Sequence, residues 1–266
     1  MKKEENIIDF ENVYVNYGDI TVLKNINLKI TDKQNWVVLG ANGSGKSTLI
    51  KLFSHDLYPN TKYPFKKNIF GKDRWDIFEL KKYLGIITND LQSQLLSYRG
   101  NSTGLDIVLS GYYSSLGVFQ HHVFSNKEYN KALDIMNFLE ITDLKEKKFN
   151  QMSTGEQRRC IIARALVHEP KAFVLDEPTT GLDIKAQGCF LKMLRKLSKD
   201  IPLILVTHNI DEIFPEITHV ALIADNTIFK QGLKEDIMTS ENLSEIFGID
   251  ILLEKENDRF YIKNYN

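Results

Sequence analysis

A single segment, GANGSGKST at Gly40–Thr48, limits what this chain can fold into more than any other. It follows the apolar run WVVL and leads into STLIKLF, which has a helical pattern, so the GxxxxGK[ST] motif joins a predicted strand to a predicted helix. Glycines let successive backbone N–H groups turn inward around phosphate oxygens, and the helix adds its positive N-terminal end. The segment therefore predicts a phosphate-binding loop. A glycine-rich turn that merely precedes a helix is the alternative.

The side chains of this loop indicate what it holds. Lys46 adds a cation beside the phosphates, and the hydroxyl of Ser47 suits Mg²⁺. The residues predicted to contact the nucleotide are Gly40, Asn42, Gly43, Ser44, Gly45, Lys46, Ser47 and Thr48.

A second segment, AFVLDEPTTGLD, supplies two adjacent carboxylates. Four apolar residues precede Asp176 and Glu177, which places both acids at the C-terminal end of a buried strand, where ligands of open α/β sheets gather. Asp176 is the candidate ligand of hydrated Mg²⁺, and Glu177 the candidate that orients or deprotonates the water attacking the γ-phosphate. An acid pair that starts a helix is the alternative, but the phosphate-binding loop favours catalysis.

Short apolar runs predict the rest of the sheet. The runs WVVLG, YLGIIT, AFVLD, LILVTH and HVALIAD suit strands buried on both faces, and helical patterns separate them. The fold class is therefore α/β, with a mainly parallel sheet. Residues Ile7–Tyr17 and Thr21–Ile30 alternate in polarity around Gly18 and Asp19, which predicts an antiparallel N-terminal β subdomain.

We expect one domain over residues 1–266 with two distinct parts. Helical patterns such as NKEYNKALDIMNFLEI dominate residues 100–167 approximately, which predicts a helical subdomain. A C-terminal extension covers residues 233–266 approximately. Within it, IDILLE and RFYIKNY flank KEND and predict a hairpin.

Composition excludes several classes of protein. With 42% hydrophobic and 26% charged residues the chain is an ordinary globular protein, and its net charge of -1 argues against a broad nucleic-acid-binding face. No apolar run approaches the ~18 residues needed to span a bilayer, and the N-terminus has no apolar signal core. Cys160 and Cys189 lack metal-site spacing and are interpreted as reduced thiols of a cytoplasmic protein.

The segment MSTGEQRRCIIARAL, from Met152, identifies a family once the two preceding motifs are known. It resembles the signature segment of ATP-binding-cassette (ABC) ATPases, which commonly reads LSGGQ and is followed by a helix. No apolar strand feeds into it, so it is not a phosphate-binding loop in its own right. The resemblance extends over nearly the whole chain and implies a P-loop NTPase core in which the helical subdomain carries the signature.

The resemblance implies that two ATPase domains pack head to tail around MgATP, each signature capping the ATP held by the other chain. Ser153, Thr154 and Gly155 would then donate hydrogen bonds to the γ-phosphate of the ATP that the partner chain binds. Ser153 and Glu156 also have the spacing of a helix capping box, and both roles are compatible. The segment departs from the common pattern at Met152, Thr154 and Glu156, and Glu156 is expected to cap backbone N–H groups instead of contacting phosphate.

Further residues match the family in the expected order. Tyr17 resembles the aromatic residue on which adenine stacks, with a core aromatic as the alternative. Gly181, Leu182 and Asp183 resemble the loop that joins the two sites of a dimer, with a helix-starting acid as the alternative. His208, after LILVT, resembles the histidine that senses the γ-phosphate, with a structural histidine as the alternative.

The match is poorest at GIITNDLQSQL, which corresponds to the loop whose glutamine reaches Mg²⁺ and links ATP to the membrane partner. Counting from Gly85 lands on Asn89, whereas Gln92 or Gln94 fits a longer loop. Gln92 is chosen as the predicted metal ligand. Solvated turn residues are the alternative.

The resemblance implies an ATPase subunit on the cytoplasmic face of a membrane, using ATP and Mg²⁺. Its expected partners are a second copy of the chain and a separate transmembrane permease, with no nucleic acid. The segments TSENLSEIFGIDI and KQNW resemble importer ATPases for metal chelates or oxyanions. A soluble cassette ATPase acting on ribosomes or DNA is the second hypothesis, and a small-molecule kinase or GTPase the third.

Overall fold

A computed structural model of the protein describes residues 4–265. The strands are β1 (Asn6–Tyr17), β2 (Ile20–Thr31), β3 (Trp36–Leu39), β4 (Lys66–Ile69), β5 (Leu84–Ile87), β6 (Ala172–Asp176), β7 (Leu203–Thr207), β8 (His219–Ala224), β9 (Thr227–Leu233), β10 (Ile251–Glu256) and β11 (Arg259–Tyr265). The α-helices are α1 (Lys46–Phe53), α2 (Ile77–Tyr83), α3 (Asn89–Arg99), α4 (Gly104–Leu109), α5 (Asn126–Phe138), α6 (Thr154–Leu166), α7 (Ile184–Leu197), α8 (Lys234–Ile237) and α9 (Ser240–Phe247).

The central sheet has the strand order β5-β6-β7-β3-β8-β9. Every neighbouring pair from β5 to β8 is parallel, and only β9 runs antiparallel, to β8. All five apolar runs form strands of this sheet, which confirms the predicted α/β fold with a mainly parallel sheet. Because β6, β7 and β3 are neighbours, their carboxyl ends deliver the acid pair, His208 and the phosphate-binding loop to one edge.

The N-terminal hairpin is confirmed as part of a second, antiparallel sheet with the order β2-β1-β4. Tyr17 pairs with Ile20 across a tight turn in which Gly18 has φ 58°, a value that glycine adopts without steric cost. Apolar side chains from this sheet pack on one face of the central sheet together with α1. The sheet therefore forms one side of the molecule.

The opposite face of the central sheet is covered by helices. Side chains alternate along β3, so that Trp36 and Val38 join the core beneath the antiparallel sheet, whereas Val37 and Leu39 join the core beneath the helices. Helices α3, α4, α5 and α6 all lie in the chain between β5 and β6, and α3 begins at Asn89, ahead of the expected boundary near residue 100. We call these four helices the helical lobe.

The chain from β9 onward adds α8, α9 and a terminal β10-β11 hairpin. Its register pairs Glu256 with Arg259, which confirms the hairpin predicted around KEND. Cys160 is buried and Cys189 exposed, and both are free thiols. Over residues 4–265, no helix is both long and apolar enough to cross a membrane.

Candidate nucleotide-binding and hydrolysis site

The phosphate-binding loop connects β3 to α1 and wraps around the side chain of Lys46. The buried Lys46 ammonium donates to the carbonyl oxygens of Gly40 at 2.9 Å and Ala41 at 3.0 Å. Burial lowers the pKa of Lys46, and the carboxylates of Glu177 and Asp176 oppose that effect. The loop thus holds a cation in its centre, where an anionic ligand is favoured.

The backbone of the loop fits a phosphate-bearing ligand. Gly45 has φ 106°, and a Cβ there would lie 2.7 Å from a methyl of Leu23, so only glycine suits this position. The hydroxyl of Ser44 is buried and has no hydrogen-bond partner among the described residues. The first turn of α1 contains no acidic side chain, which leaves its N–H groups and helix dipole available to an anion.

The two carboxylates meet the loop at the end of β6. The Oε1 of Glu177 lies 3.9 Å from Lys46 Nζ and 2.8 Å from Nδ1 of His208, while its Oε2 accepts from the Thr207 hydroxyl at 3.1 Å. Burial and the neighbouring Glu177 raise the pKa of Asp176 to about 6. Two acids with different surroundings therefore stand side by side, a common arrangement at sites of general acid–base chemistry.

A cavity of about 910 Å³ opens beside these groups, within the range that accommodates a nucleotide. It extends from the phosphate-binding loop to the groove between α2, β5 and the helical lobe. The predicted site residues that line it are Asn42, Gly43, Gly45, Lys46, Ser47, Thr48, Asp176 and Glu177, together with Asn89 and Gln94. The predicted site residues that do not line it are Tyr17, Gly40, Ser44, Gln92, Ser153, Thr154, Gly155, Asp183 and His208.

The side chains present also fit Mg²⁺. Ser47 and Asp176 face the same cavity, and their oxygens are the hard ligands that Mg²⁺ prefers. Within residues 4–265, no cluster of three or more His, Cys, Asp or Glu side chains is arranged for a metal. Such a site suits an ion that takes one or two protein ligands and completes its shell with waters and substrate phosphates.

Comparisons with known proteins agree with this geometry. The ABC transporter family model matches residues 23–180, more than half of the chain. The chain belongs to the ABC transporter family. It is therefore an ATP-binding transporter subunit that hydrolyses ATP, and the kinase or GTPase hypothesis is wrong.

Individual relatives resemble this ABC ATPase along most of its length. It is 30% identical over 260 residues to the uncharacterized ABC transporter ATP-binding protein YlmA of Bacillus subtilis, with 96% of each chain covered. It is 31% identical over 237 residues to the zinc uptake system ATP-binding protein ZurA of Listeria monocytogenes, with 88% of each covered. The structure of cbiO1 from Clostridium perfringens, part of the ABC transporter complex cbiONQ, matches with a TM-score of 0.75 and 27% identity, covering 91% of this chain and 94% of that one.

The predicted signature of this ABC ATPase lies at the N-terminus of α6, and its Ser153, Thr154 and Gly155 do not line the cavity of their own chain. Ser153 Oγ accepts from the Glu156 N–H at 3.3 Å, and Glu156 Oε2 accepts from the Ser153 N–H at 2.7 Å, forming the capping box that the spacing suggested. Lys147 pairs with Glu156 at 2.8 Å. Burial raises the pKa of Glu156, but the bonds from Lys147 and Ser153 outweigh it and lower the pKa overall. Lys147 thus neutralises the unusual carboxylate.

The loop after β6 leads from Glu177 to the start of α7. Asp183 is exposed and its Oδ1 accepts from the Ala186 N–H at 2.7 Å, so it acts as the N-cap of α7. Gly181 has φ 77°, which turns the chain there. Both residues lie at the surface. Capping accounts for the local hydrogen bond of Asp183, and its role at a dimer contact stays a prediction.

Two other predicted residues lie at the margins of the site. Tyr17 is partly exposed at the tip of the β1-β2 hairpin, while Val22 of β2 lines the cavity. His208 contacts Glu177 and also lines a smaller cavity, of about 350 Å³, against the C-terminal hairpin. The side chains of Tyr17 and His208 are both exposed enough to contact a ligand or a second chain.

The predicted metal ligand Gln92 is engaged elsewhere. Its Nε2 donates to Gln157 Oε1 at 2.8 Å, and its Oε1 accepts from Arg158 Nε at 3.2 Å. Asn89 and Gln94, the two alternatives, line the cavity, although Asn89 also accepts from Arg158. Helical periodicity turns Gln92 toward α6, which favours Asn89 or Gln94 over Gln92 as the residue that faces the nucleotide.

Sequence reasoning missed Arg158 and Glu212, two buried charges that flank the loop after Glu177. Arg158 stands two residues before the buried run Cys160–Ile162 of α6, and Glu212 follows His208 in a short 3-10 turn. A charge beside apolar positions must find a partner when buried, so its position alone was a signal.

Proposed function

We propose that this chain is the MgATP-hydrolysing subunit of an ABC importer. It works as a head-to-tail homodimer on the cytoplasmic face of a membrane and drives a separate transmembrane permease. The observation that carries the proposal is the separation of the two halves of one site. The phosphate-binding loop and acids share a cavity, while the signature of the same chain lies outside it.

In the proposed hydrolysis, Lys46 binds the β- and γ-phosphates within the cradle of the Gly40–Thr48 backbone. Glu177 accepts the proton of the attacking water, and His208 and Thr207 hold its two oxygens in place. Ser47 and Asp176, joined by Asn89 or Gln94, would hold Mg²⁺, which neutralises phosphate charge when bound.

The surface of the chain supports a partner that completes the site. Asn42, Gly43 and Ser47 of the phosphate-binding loop are exposed, as is Ser153 at the start of α6. The N-terminus of a helix as long as α6 attracts anions, so it suits a γ-phosphate presented by another chain. A second copy related by two-fold symmetry would supply two such contacts at once.

The groove between α2, β5 and the helical lobe supports a permease partner. It is continuous with the nucleotide cavity and is lined there by Leu80, Leu116 and Ala165. An apolar segment of the permease docked in this groove would lie beside Gln94. Its position would therefore be coupled to what the cavity binds. The name of the Listeria relative, a zinc uptake system ATP-binding protein, supports import. The names of these relatives lend no support to a ribosome- or DNA-directed cassette.

The test is recovery of the native complex from solubilised membranes, with partners identified by mass spectrometry. The expected partner is a transmembrane protein whose addition in lipid changes the rate of ATP hydrolysis. Recovery of ribosomal proteins or DNA alone would instead support the second hypothesis.

A further inference from the structure

Arg158, on α6, is a buried cation whose three donors reach two other segments of the chain, α3 and the loop after β6. It is 5% exposed. Its Nη1 donates to the carbonyl oxygen of Pro178 at 2.5 Å, its Nη2 to Asn89 Oδ1 at 2.7 Å and its Nε to Gln92 Oε1 at 3.2 Å. All three acceptors are uncharged. Because a buried arginine needs its hydrogen bonds, the loss of any one acceptor destabilises the fold, and the guanidinium therefore holds α3 and the loop after β6 against α6.

Glu212 forms hydrogen bonds with the same loop, at the residue after Pro178. It is 1% exposed, and its Oε1 accepts from both the N–H and the hydroxyl of Thr179, the N–H bond being 2.8 Å long. The carbonyl of Pro178 and the N–H of Thr179 belong to one peptide group. That group thus has a cation at its oxygen and an anion at its hydrogen, which aligns its dipole between two buried charges of opposite sign.

This clamped peptide lies one residue beyond the candidate base. Glu177 has φ 46°, in the left-handed region, which is strained for a residue with a Cβ. Such a conformation persists only when its surroundings hold it. The Thr207 and His208 contacts hold the Glu177 side chain, and the Arg158–Glu212 clamp holds the backbone on its C-terminal side.

The other two bonds of Arg158 connect the clamp to the start of α3. Asn89 lines the nucleotide cavity, and Gln92 is bonded to Gln157 on α6. A shift of α3 relative to α6 therefore pulls on the guanidinium that fixes the Pro178 carbonyl. The network provides a short physical connection between the groove of the helical lobe and the backbone of the candidate base.

We propose that Arg158 is a positioning residue for ATP hydrolysis: it clamps the Pro178–Thr179 peptide against Glu212 and links the placement of Glu177 to the position of α3. The inference rests on the proposed role of Glu177 as the base. Arg158 is buried and does not line the nucleotide cavity, so its effect is on the rate of the chemical step and not on nucleotide affinity.

The experiment compares Arg158→Met, which keeps the length but removes the donors, with Arg158→Lys, which keeps the charge but has no fork. The matched control is Arg159→Met, since Arg159 on the same helix makes a single side-chain hydrogen bond within residues 4–265, to the Glu140 carbonyl at 3.5 Å. Steady-state hydrolysis is normalised to the sites that bind a fluorescent ATP analogue, so a poorly folded fraction does not enter the rate. Both Arg158 variants should lose on the order of 10–100-fold in kcat with KM within about twofold of wild type, because displacement of a catalytic group by about 1 Å costs rates of that size. Arg159→Met should keep both values.

A milder variant covers the case in which both Arg158 variants fail to fold. Gln92→Leu removes one acceptor of Arg158, lies outside the cavity, and should lower kcat several-fold at unchanged KM. If Arg158→Met folds, the double variant Gln92→Leu/Arg158→Met should have the same kcat as Arg158→Met alone, because both changes break the same network. A normal kcat per binding site in Gln92→Leu and in whichever Arg158 variants fold would overturn the inference, as would a loss confined to KM. Glu177→Gln is measured in parallel. If this variant hydrolyses ATP normally, the proposed base is wrong. If it loses hydrolysis while the Arg158 variants keep a normal kcat, only the proposed role of Arg158 is contradicted.

Discussion

The Nδ1 of His208 lies 2.8 Å from the Oε1 of Glu177. The two residues come from the ends of neighbouring parallel strands, β7 and β6, and each lies just past the last paired residues. The contact orients a carboxylate whose other oxygen is already held by Thr207. The side chain that is the candidate base is therefore fixed from two sides before any substrate arrives, which is the condition for efficient proton transfer.

Replacement of Lys46 by alanine should abolish productive use of MgATP. The change removes the ammonium that the phosphate-binding loop encloses. The charge-assisted bonds that this ammonium would make to phosphate are lost with it. Hydrolysis by the purified variant is the measurement, and Lys192→Ala, at an exposed position of α7 outside the cavity, is the control. Near wild-type turnover in Lys46→Ala would contradict the phosphate-binding assignment.

Replacement of Glu177 by glutamine should keep MgATP binding and slow hydrolysis by on the order of 10²–10⁴-fold, the usual contribution of a positioned base. The amide keeps the shape of the side chain but cannot accept the proton. ATP-dependent dimers should accumulate and be visible by light scattering. The exposed Glu241→Gln serves as the control, and normal turnover of Glu177→Gln would rule out this base.

The raised pKa of Asp176, about 6 against an ordinary 3.8, predicts a pH-dependent stability. Between about pH 4 and pH 6 the folded chain binds more protons at this carboxyl than the unfolded chain does, so protonation stabilises the fold. That contribution is lost as the pH rises through about 6. Relative to Asp176→Asn, the nucleotide-free wild type should therefore gain unfolding free energy as the pH falls from about 7 to about 5. Urea titrations of both proteins measure this, and a pH-independent difference would refute the perturbed carboxyl.

Mixing two defective chains should restore one complete site. One chain carries Lys46→Ala with an intact signature, and the other carries Gly155→Asp with an intact phosphate-binding loop. The new carboxylate repels phosphate at close range. Both chains also carry Glu177→Gln, so that enclosed ATP persists. We expect the mixture to retain ATP in stable dimers when neither variant does so alone, measured by radiolabelled nucleotide after gel filtration.

The control for this experiment is Gly155→Ala. A Cβ at Gly155 would lie 3.6 Å from Ala186 and Leu182, which is ordinary contact, so the alanine variant should still retain ATP. ATP retention by Gly155→Asp alone would contradict the signature role. Different affinity tags on the two chains show whether heterodimers form. Heterodimers that retain no nucleotide would contradict the proposal that the signature of one chain completes the site of the other.

Much of the fold follows from local patterns. The apolar runs of β3, β6 and β7 need burial on both faces whatever surrounds them, so their strands were predictable without a structure. The loop around Lys46 was equally predictable, because its glycines, cation and hydroxyl act within a few residues of one another. The capping box of Ser153 and Glu156 is local in the same sense and was recognised from its spacing.

The sequence by itself determined the phosphate-binding loop, the acid pair and the strands that carry them, since each depends on neighbours along the chain. Only the tertiary structure decided that Gln92 turns to α6 while Gln94 faces the cavity, because both lie on one helix and the packing of α3 selects its buried face. The clamp of Arg158 and Glu212 on the peptide after Pro178 likewise depends on three segments that are distant in sequence. Buried charges must find partners, but which partners they find is set by how the helices and strands pack.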